Sequence, residues 1–226
     1  MRKRWIVLAA GLAAVLAAGC SGGAQPAGSG GGGVQGATLE VVATTTQVAD
    51  FARVVGGDRV RVTSLIKPNV DAHDYEPSPA DLDAIAGADV VLQNGVGLEA
   101  WLDDTIQSSG FQGPVVDTSQ GVTPRRAEGG ELDPHIWQDP RNAQVMATNV
   151  ERALARAEPA AAAAFAANLA AYSRELKALD AEVARQLGSL ANKKLVTNHD
   201  AFGYYIDRYG LELVGSVIPS FDTSAE

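Results

Sequence analysis

Cysteine is almost absent from this chain of 226 residues, which has only one, at position 20. A single cysteine forms no disulfide within the chain and makes no thiolate cluster for zinc or iron. We therefore expect the part that follows Cys20 to fold around an apolar core. Any metal bound there needs nitrogen or oxygen ligands.

Basic residues are also few, because 18 Lys and Arg stand against 27 Asp and Glu, which gives a formal net charge of −9 at pH 7. Such a surface repels the phosphates of nucleic acids and the headgroups of anionic lipids. The composition therefore argues against a nucleic-acid partner and against membrane binding driven by charge.

A hydrophobic run long enough to span a membrane is missing as well. The longest apolar run lies between Trp5 and Leu16, whereas crossing a hydrocarbon core of ~30 Å takes about 20 residues. Basic residues precede this run and small residues follow it up to Gly19, which is the arrangement of a secretory signal peptide. We interpret residues 1–19 as that signal peptide and expect the mature protein to be exported.

Cys20 lies directly after the predicted signal peptide. The pair Gly19-Cys20 resembles the lipobox of bacterial lipoproteins, in which the cysteine is acylated, although Ala17 stands where leucine is usual. Residues 20–37 are rich in Gly, Ser and Ala, a composition typical of a flexible tether. We therefore predict an extracytoplasmic protein, anchored to the cell membrane by lipidated Cys20. The alternative is an ordinary signal peptide followed by an incidental cysteine.

From residue 38 onward, short β-branched runs alternate with amphipathic helical segments. Such alternation is typical of βαβ units, in which helices cover a parallel sheet, and we assign residues 38–157 to an N-terminal α/β lobe. Beyond Pro159, one apolar stripe with steps of four and three predicts a long linking helix over residues 158–188. The stripe consists of Phe165, Leu169, Tyr172, Leu176, Leu179 and Val183.

One further βαβ unit follows the linking helix and occupies residues 189–226. A single unit cannot cover both faces of its sheet, so we expect this second α/β lobe to be truncated at its C-terminus. The predicted fold is therefore α/β, with two lobes of mainly parallel sheets joined by one long helix.

The chain has three histidines, His73, His135 and His199. None lies on an apolar helix face, and His73 and His199 follow predicted strands, at the edge where α/β sheets bind ligands. Each has an Asp or Asn within two positions, which can orient the second ring nitrogen. Three neutral imidazoles form a nitrogen site that suits Zn²⁺. Four acidic residues are candidates for supporting these ligands: Asp74, Glu76, Asp133 and Asp200.

Three segments around these histidines resemble the metal-ligand motifs of a known family. They run from His73 to Pro79, from Asp133 to Trp137 and from Asn198 to Tyr205. In this order and spacing they are similar to motifs of the zinc and manganese solute-binding proteins of ABC uptake systems. That family includes zinc-uptake periplasmic proteins and manganese-binding lipoprotein adhesins. The resemblance implies two α/β lobes joined by one long helix, with the metal in the cleft between the lobes.

The resemblance also implies which residues bind the metal: His73 and His135 from the first lobe, and His199 from the second. Manganese-specific members usually have Glu at the third position, so His199 favours Zn²⁺ over Mn²⁺. The implied function is high-affinity capture of a transition-metal ion by a monomer, without catalysis, for delivery to a membrane ABC permease. Two features depart from the family: the stretch from Thr118 to Glu131 contains no histidine, and the usual fourth ligand falls beyond residue 226.

Two other functions fit the same residues. A manganese or iron carrier of the same family would use the same cleft. A zinc-dependent hydrolase would also use three histidines with an open fourth position. The sequence has no His-Glu-x-x-His motif, however, and the general base of such a hydrolase would have to be Glu76 or Asp200.

Overall fold

The structure is a computed structural model, and it describes residues 38–126 and 130–218. The predicted signal peptide, Cys20 and the tether up to residue 37 lie outside the described residues. The hypotheses of a signal peptide and a lipid anchor therefore remain predictions.

A four-stranded sheet forms the centre of the part that precedes the long helix. Its strands are β1 (Leu39–Ala43), β2 (Val60–Ser64), β3 (Val90–Gln93) and β4 (Val115–Asp117). They pair in the order β2-β1-β3-β4, and every pair is parallel. The connections leave β1 and β3 in opposite directions, which opens a crevice at the carboxyl end of the sheet.

Helices cover both faces of this sheet. The α-helices of the described residues are α1 (Thr46–Gly56), α2 (Pro79–Ala86), α3 (Leu102–Ser109), α4 (Pro140–Ala157), α5 (Ala162–Gly188) and α6 (Gly203–Tyr209). Because successive side chains of a strand point to opposite faces, Val41 and Leu92 enter a core shared with α1, α4 and α5. Val42 and Val91 enter a second core, which includes Ile85 of α2.

A Ser or Asp followed directly by Pro, as at Ser78 and Asp139, predicts a capped helix start, and two helices have these residues as their N-caps. Ser78 and Asp81 form a reciprocal capping box at the start of α2, and the Asp139 side chain accepts a hydrogen bond from the N–H of Arg141 at the start of α4. These caps satisfy N–H groups that have no partner inside the helix. The helix starts are therefore determined locally, by three or four residues each.

The sequence predicts a helix over residues 98–107, between two short β-branched runs, but the helix begins later, at Leu102. Residues 95–97 all have positive φ angles, and a buried carboxylate holds this turn in place. The Glu99 carboxylate accepts hydrogen bonds from the N–H groups of Asn94 and of the following glycine. Because these bonds close a turn rather than a helix, the helical segment starts only after them.

Helix α5 has 27 residues, which corresponds to about 40 Å at 1.5 Å per residue. It confirms the predicted long helix, and Pro159 interrupts the chain between α4 and α5. On the predicted apolar stripe, Phe165 and Leu176 are buried in the main core, whereas Leu179 is 51% exposed. The helix therefore packs along only part of that stripe.

The chain after α5 forms β5 (Lys194–His199), α6 and β6 (Glu212–Ile218), one βαβ unit with a two-stranded parallel sheet. This arrangement confirms the predicted α/β fold of mainly parallel sheets and one long helix. Lobe boundaries at residues 157 and 188, and a truncated second lobe, stay predictions. Within the described ranges, no helix combines the length and apolar composition needed to cross a membrane.

Candidate metal centre

The fold brings the side chains of all three histidines together. The Nε2 atom of His135 lies 3.3 Å from the Nε2 atom of His73 and 3.3 Å from that of His199. One ring nitrogen from each histidine falls within a group whose atoms all lie within 4.8 Å of one another. Residues separated by more than sixty positions in sequence therefore converge on a single point.

Each histidine comes from a different connection of the fold. His73 lies in the loop between β2 and α2, His135 lies just before α4, and His199 is the last residue of β5. His199 thus lies at a carboxyl strand end, where α/β proteins bind ligands. A cavity of about 920 Å³ is lined by all three histidines and by Thr45 and Thr46 at the start of α1.

The backbones at His73 and His135 are fixed in the same way. The N–H of His73 donates to the Asp71 carboxylate at 2.9 Å, and the N–H of His135 donates to the Asp133 carboxylate at 3.0 Å. Such Asx turns are local features, and they correspond to the Asp-x-His spacing found twice in the sequence. Asp71 was not among the predicted supporting residues, although this repeated spacing was the signal for it.

The Asp133 carboxylate also determines the orientation of the His135 ring. Its oxygen lies 2.9 Å from Nδ1 of His135, and the Asp133 side chain is fully buried. Because a carboxylate accepts hydrogen bonds, Nδ1 carries the proton and Nε2 directs its lone pair towards the other two histidines. A histidine that ligates a metal typically donates its other N–H to a carboxylate in this manner.

His199 is half-buried, and its pKa is lowered from the ordinary value of 6.5. Burial is the largest cause and repulsion by His135 is the second, whereas the carboxylates of Asp71 and Asp200 act in the opposite direction. A lowered pKa keeps the imidazole neutral at physiological pH. The neutral form is the one that binds metals.

The remaining predicted residues differ in how close they come to the histidines. Asp74 and Glu76 are exposed, and the group of close donor atoms does not include them. Asp200 is half-buried and acts on His199 through its charge. Of the four predicted supporting residues, Asp133 lies within hydrogen-bond distance of a histidine ring, that of His135.

Two residues that support the site were missed by the sequence analysis. Arg125 pairs with the Asp133 carboxylate at 2.9 Å, and the hydroxyl of Tyr204 donates to the Asp133 carbonyl at 2.7 Å. Tyr204 belongs to the third motif, but nothing in the sequence links it to Asp133 across 71 positions. Arg125 lies outside all three motifs, so local spacing gave no signal for it.

The chain can also be compared with known proteins. Residues 41–226 match the family described as "Zinc-uptake complex component A periplasmic", a match that extends over most of the chain. The chain belongs to this family. Membership in the zinc-uptake component A family confirms the resemblance that the three histidine motifs suggested.

Curated relatives of this family are similar over the same region. The manganese-binding lipoprotein MntA of Bacillus subtilis (strain 168) is 35% identical over 183 residues, which cover 78% of this chain and 60% of that protein. The iron-binding protein YfeA of Yersinia pestis is 35% identical over 182 residues, which cover 78% and 58%. The chain therefore spans about three fifths of the length of these relatives.

Solved structures with zinc-related names have the same fold. The crystal structure of ZnuA gives a TM-score of 0.76 at 30% identity, over 79% of this chain and 70% of that one. The periplasmic zinc-binding protein TroA from Treponema pallidum gives 0.78 at 30% identity, over 84% and 69%. The relatives are thus named for zinc, manganese or iron, and the family alone does not select among these metals.

Proposed function

We propose that this chain binds one divalent transition-metal ion, with a preference for Zn²⁺, through His73, His135 and His199. The observation that carries the proposal is the 3.3 Å spacing from Nε2 of His135 to each of the other two Nε2 atoms. Two Zn–N bonds of ~2.05 Å at a tetrahedral angle separate their nitrogens by about 3.3 Å. Two of the three nitrogen pairs therefore have the spacing that a single tetrahedral ion requires, and the third pair lies within 4.8 Å.

The donor atoms support Zn²⁺ over Mn²⁺. The group of close donor atoms consists of three imidazole nitrogens, and no carboxylate of the described residues belongs to it. Imidazole suits Zn²⁺, whereas Mn²⁺ is better served by carboxylate and carbonyl oxygens. Nitrogen sites also bind Zn²⁺ more tightly than Fe²⁺ or Mn²⁺ in the general order of divalent metals.

A manganese or iron carrier is the second candidate, because MntA and YfeA, each 35% identical to this chain, are named for those metals. A manganese site would include a carboxylate ligand. Asp71 is the candidate for this role, because it lines the cavity of the histidines and its charge acts on His199.

In this proposal the ion is cargo. The family's description as a periplasmic component of a zinc-uptake complex supports capture outside the cytoplasm, and the name of the lipoprotein MntA supports a lipid anchor. Delivery to a membrane ABC permease by a monomer is the remaining part of the proposal. The hydrolase alternative lacks support, since the relatives described above are named as binding proteins. Glu76, one of its two candidate bases, is exposed and outside the group of close donor atoms.

A metal competition experiment tests the proposal. The chain is purified without a histidine tag, stripped with a chelator and dialysed anaerobically against equal concentrations of Zn²⁺, Mn²⁺ and Fe²⁺. Bound metal is then measured by plasma mass spectrometry. We expect about one equivalent of Zn²⁺ and little of the other two ions, as the general metal order requires.

A double variant, His73→Ala with His199→Ala, is the matched control, and we expect it to retain almost no metal. Retention of Mn²⁺ or Fe²⁺ in place of Zn²⁺ would select the second candidate. Absence of all three metals from the parent chain would refute both carrier hypotheses.

A further inference from the structure

We propose that Arg125 is a positioning residue, which orients the His135 ring through Asp133 and ties it to the helix that follows His199. This inference rests on the proposed metal site and deepens it. Arg125 precedes His135 by ten positions, and the Asp133 N–H donates to the Arg125 carbonyl at 3.0 Å. The guanidinium thereby faces the carboxylate that holds the histidine.

The Asp133 carboxylate contacts both His135 and Arg125. One carboxylate oxygen accepts from Nδ1 of His135 at 2.9 Å, and the other accepts from Nη1 of Arg125 at 2.9 Å. Asp133 is fully buried, so its charge needs a partner in the fold. Arg125 supplies that partner, and its bond to one carboxylate oxygen fixes the position of the other, which contacts the His135 ring.

Arg125 also makes hydrogen bonds with two residues of α6. Its Nε donates to the Asp207 carboxylate at 2.6 Å, and its backbone N–H donates to the Tyr204 hydroxyl at 2.9 Å. The same hydroxyl donates to the Asp133 carbonyl at 2.7 Å. One guanidinium thus bonds a carboxylate beside His135 and a carboxylate on α6 at once, which its planar fork of donors permits.

The Arg125 guanidinium occupies the space beside Gly203 where a side chain would otherwise lie. Gly203 is the first residue of α6, and a Cβ at this position would overlap the Arg125 guanidinium. The guanidinium is held by two carboxylates, so it cannot move aside without breaking at least one of these bonds. A glycine at the start of α6 is therefore the condition for this contact.

The consequence concerns the position of His199 relative to His135. His199 ends β5 and α6 begins four residues later, so α6 and His199 belong to the same βαβ unit. Arg125 joins that unit to the loop of His135. It therefore sets the distance between two of the proposed ligands as well as the ring orientation of one.

Two variants test the inference, each in the full-length chain. Arg125→Gln removes the positive charge and the planar set of N–H donors of the guanidinium. Gly203→Ala keeps both charges and fills the space that the guanidinium occupies, so any change in metal affinity reports the displacement of Arg125. The control is Arg208→Gln, because Arg208 makes a comparable pair with Asp180 between α6 and α5.

The measurements are the Zn²⁺ affinity from chelator competition, the visible absorption spectrum of the Co²⁺-loaded protein, and the melting temperature of the metal-free protein. We expect Arg125→Gln to bind Zn²⁺ about 10- to 100-fold more weakly, the range for residues that orient metal ligands. Gly203→Ala should fall near the ~10-fold end of that range. Both variants should alter the Co²⁺ spectrum, which reports ligand geometry, whereas Arg208→Gln should lower the melting temperature and leave affinity and spectrum unchanged.

Several outcomes would overturn the inference. Parental affinity and an unchanged Co²⁺ spectrum in Arg125→Gln would show that Arg125 has no positioning role, while the proposed metal site would stand. Equal loss of affinity in Arg208→Gln would show a general effect of destabilisation. If Arg125→Gln does not fold, parental affinity in Gly203→Ala refutes the inference. A parent chain that binds no Zn²⁺ refutes the metal site and the inference with it.

Discussion

Replacing His73 by alanine should weaken Zn²⁺ binding by about two to three powers of ten. Structural zinc sites with four ligands bind with roughly 10–16 kcal/mol, which is about 2.5–4 kcal/mol per ligand if shared equally. Every 1.4 kcal/mol corresponds to a factor of ten. His73 lies in a loop between β2 and α2 and is half-buried, so its loss should change the stability of the metal-free protein only slightly.

The assay is a titration with a chromophoric chelator of known zinc affinity. Glu76→Ala is the matched control, because Glu76 is exposed, lies in the same loop and is absent from the group of close donor atoms. We expect this control to bind Zn²⁺ as the parent does. Equal affinities of His73→Ala, Glu76→Ala and the parent would show that the converging imidazoles are not the ligands.

Four further predictions follow from other features. Zn²⁺ affinity should fall between pH 7.5 and 5, because protonated imidazole does not bind metal. Since the pKa of His199 is lowered, part of this loss should occur below pH 6.5. An affinity that does not change over this pH range would exclude histidine ligands. Cys20→Ser should release the protein from the membrane fraction or leave it unprocessed, as cell fractionation and mass spectrometry would show. Asp180 has a pKa below its ordinary value of 3.8, chiefly through hydrogen bonds from Arg208. Its contribution to stability is thus present above pH 3.8 and lost as the pH falls below it, and Asp180→Asn should reduce this loss in acid unfolding curves. Glu99→Gln should destabilise the fold by about 1–3 kcal/mol in urea unfolding, because the new amide opposes a backbone N–H that now donates to the carboxylate.

Local sequence signals were sufficient for much of the fold. Ser78 and Asp139 start their helices as predicted because caps are interactions among neighbouring residues. The predicted start of α3 was wrong because a buried carboxylate, Glu99, closes a turn where the apolar spacing suggested helix. Periodicity records where apolar side chains fall, and it does not record such a hydrogen-bond network.

In the candidate site, too, local features could be predicted from the sequence and long-range contacts could not. The three histidines could be found from their motifs, and the repeated Asp-x-His spacing corresponds to two observed turns. The contacts of Arg125 with α6 could not be found, because they join positions 79 and 82 residues apart. These long-range side-chain pairs depend on the tertiary packing of Arg125 against α6, which no short sequence pattern predicts.

The wide separation of the histidines along the chain has a consequence for the order of events in the cell. Consecutive members are 62 and 64 positions apart, so an unfolded chain must close two long loops before an ion can meet three imidazoles, and each closure costs entropy. A nascent or translocating chain therefore has almost no affinity for the ion. If the chain is exported and binds metal as proposed, it should cross the membrane without its metal and acquire it only after folding. The bound ion would then stabilise the folded form by mass action.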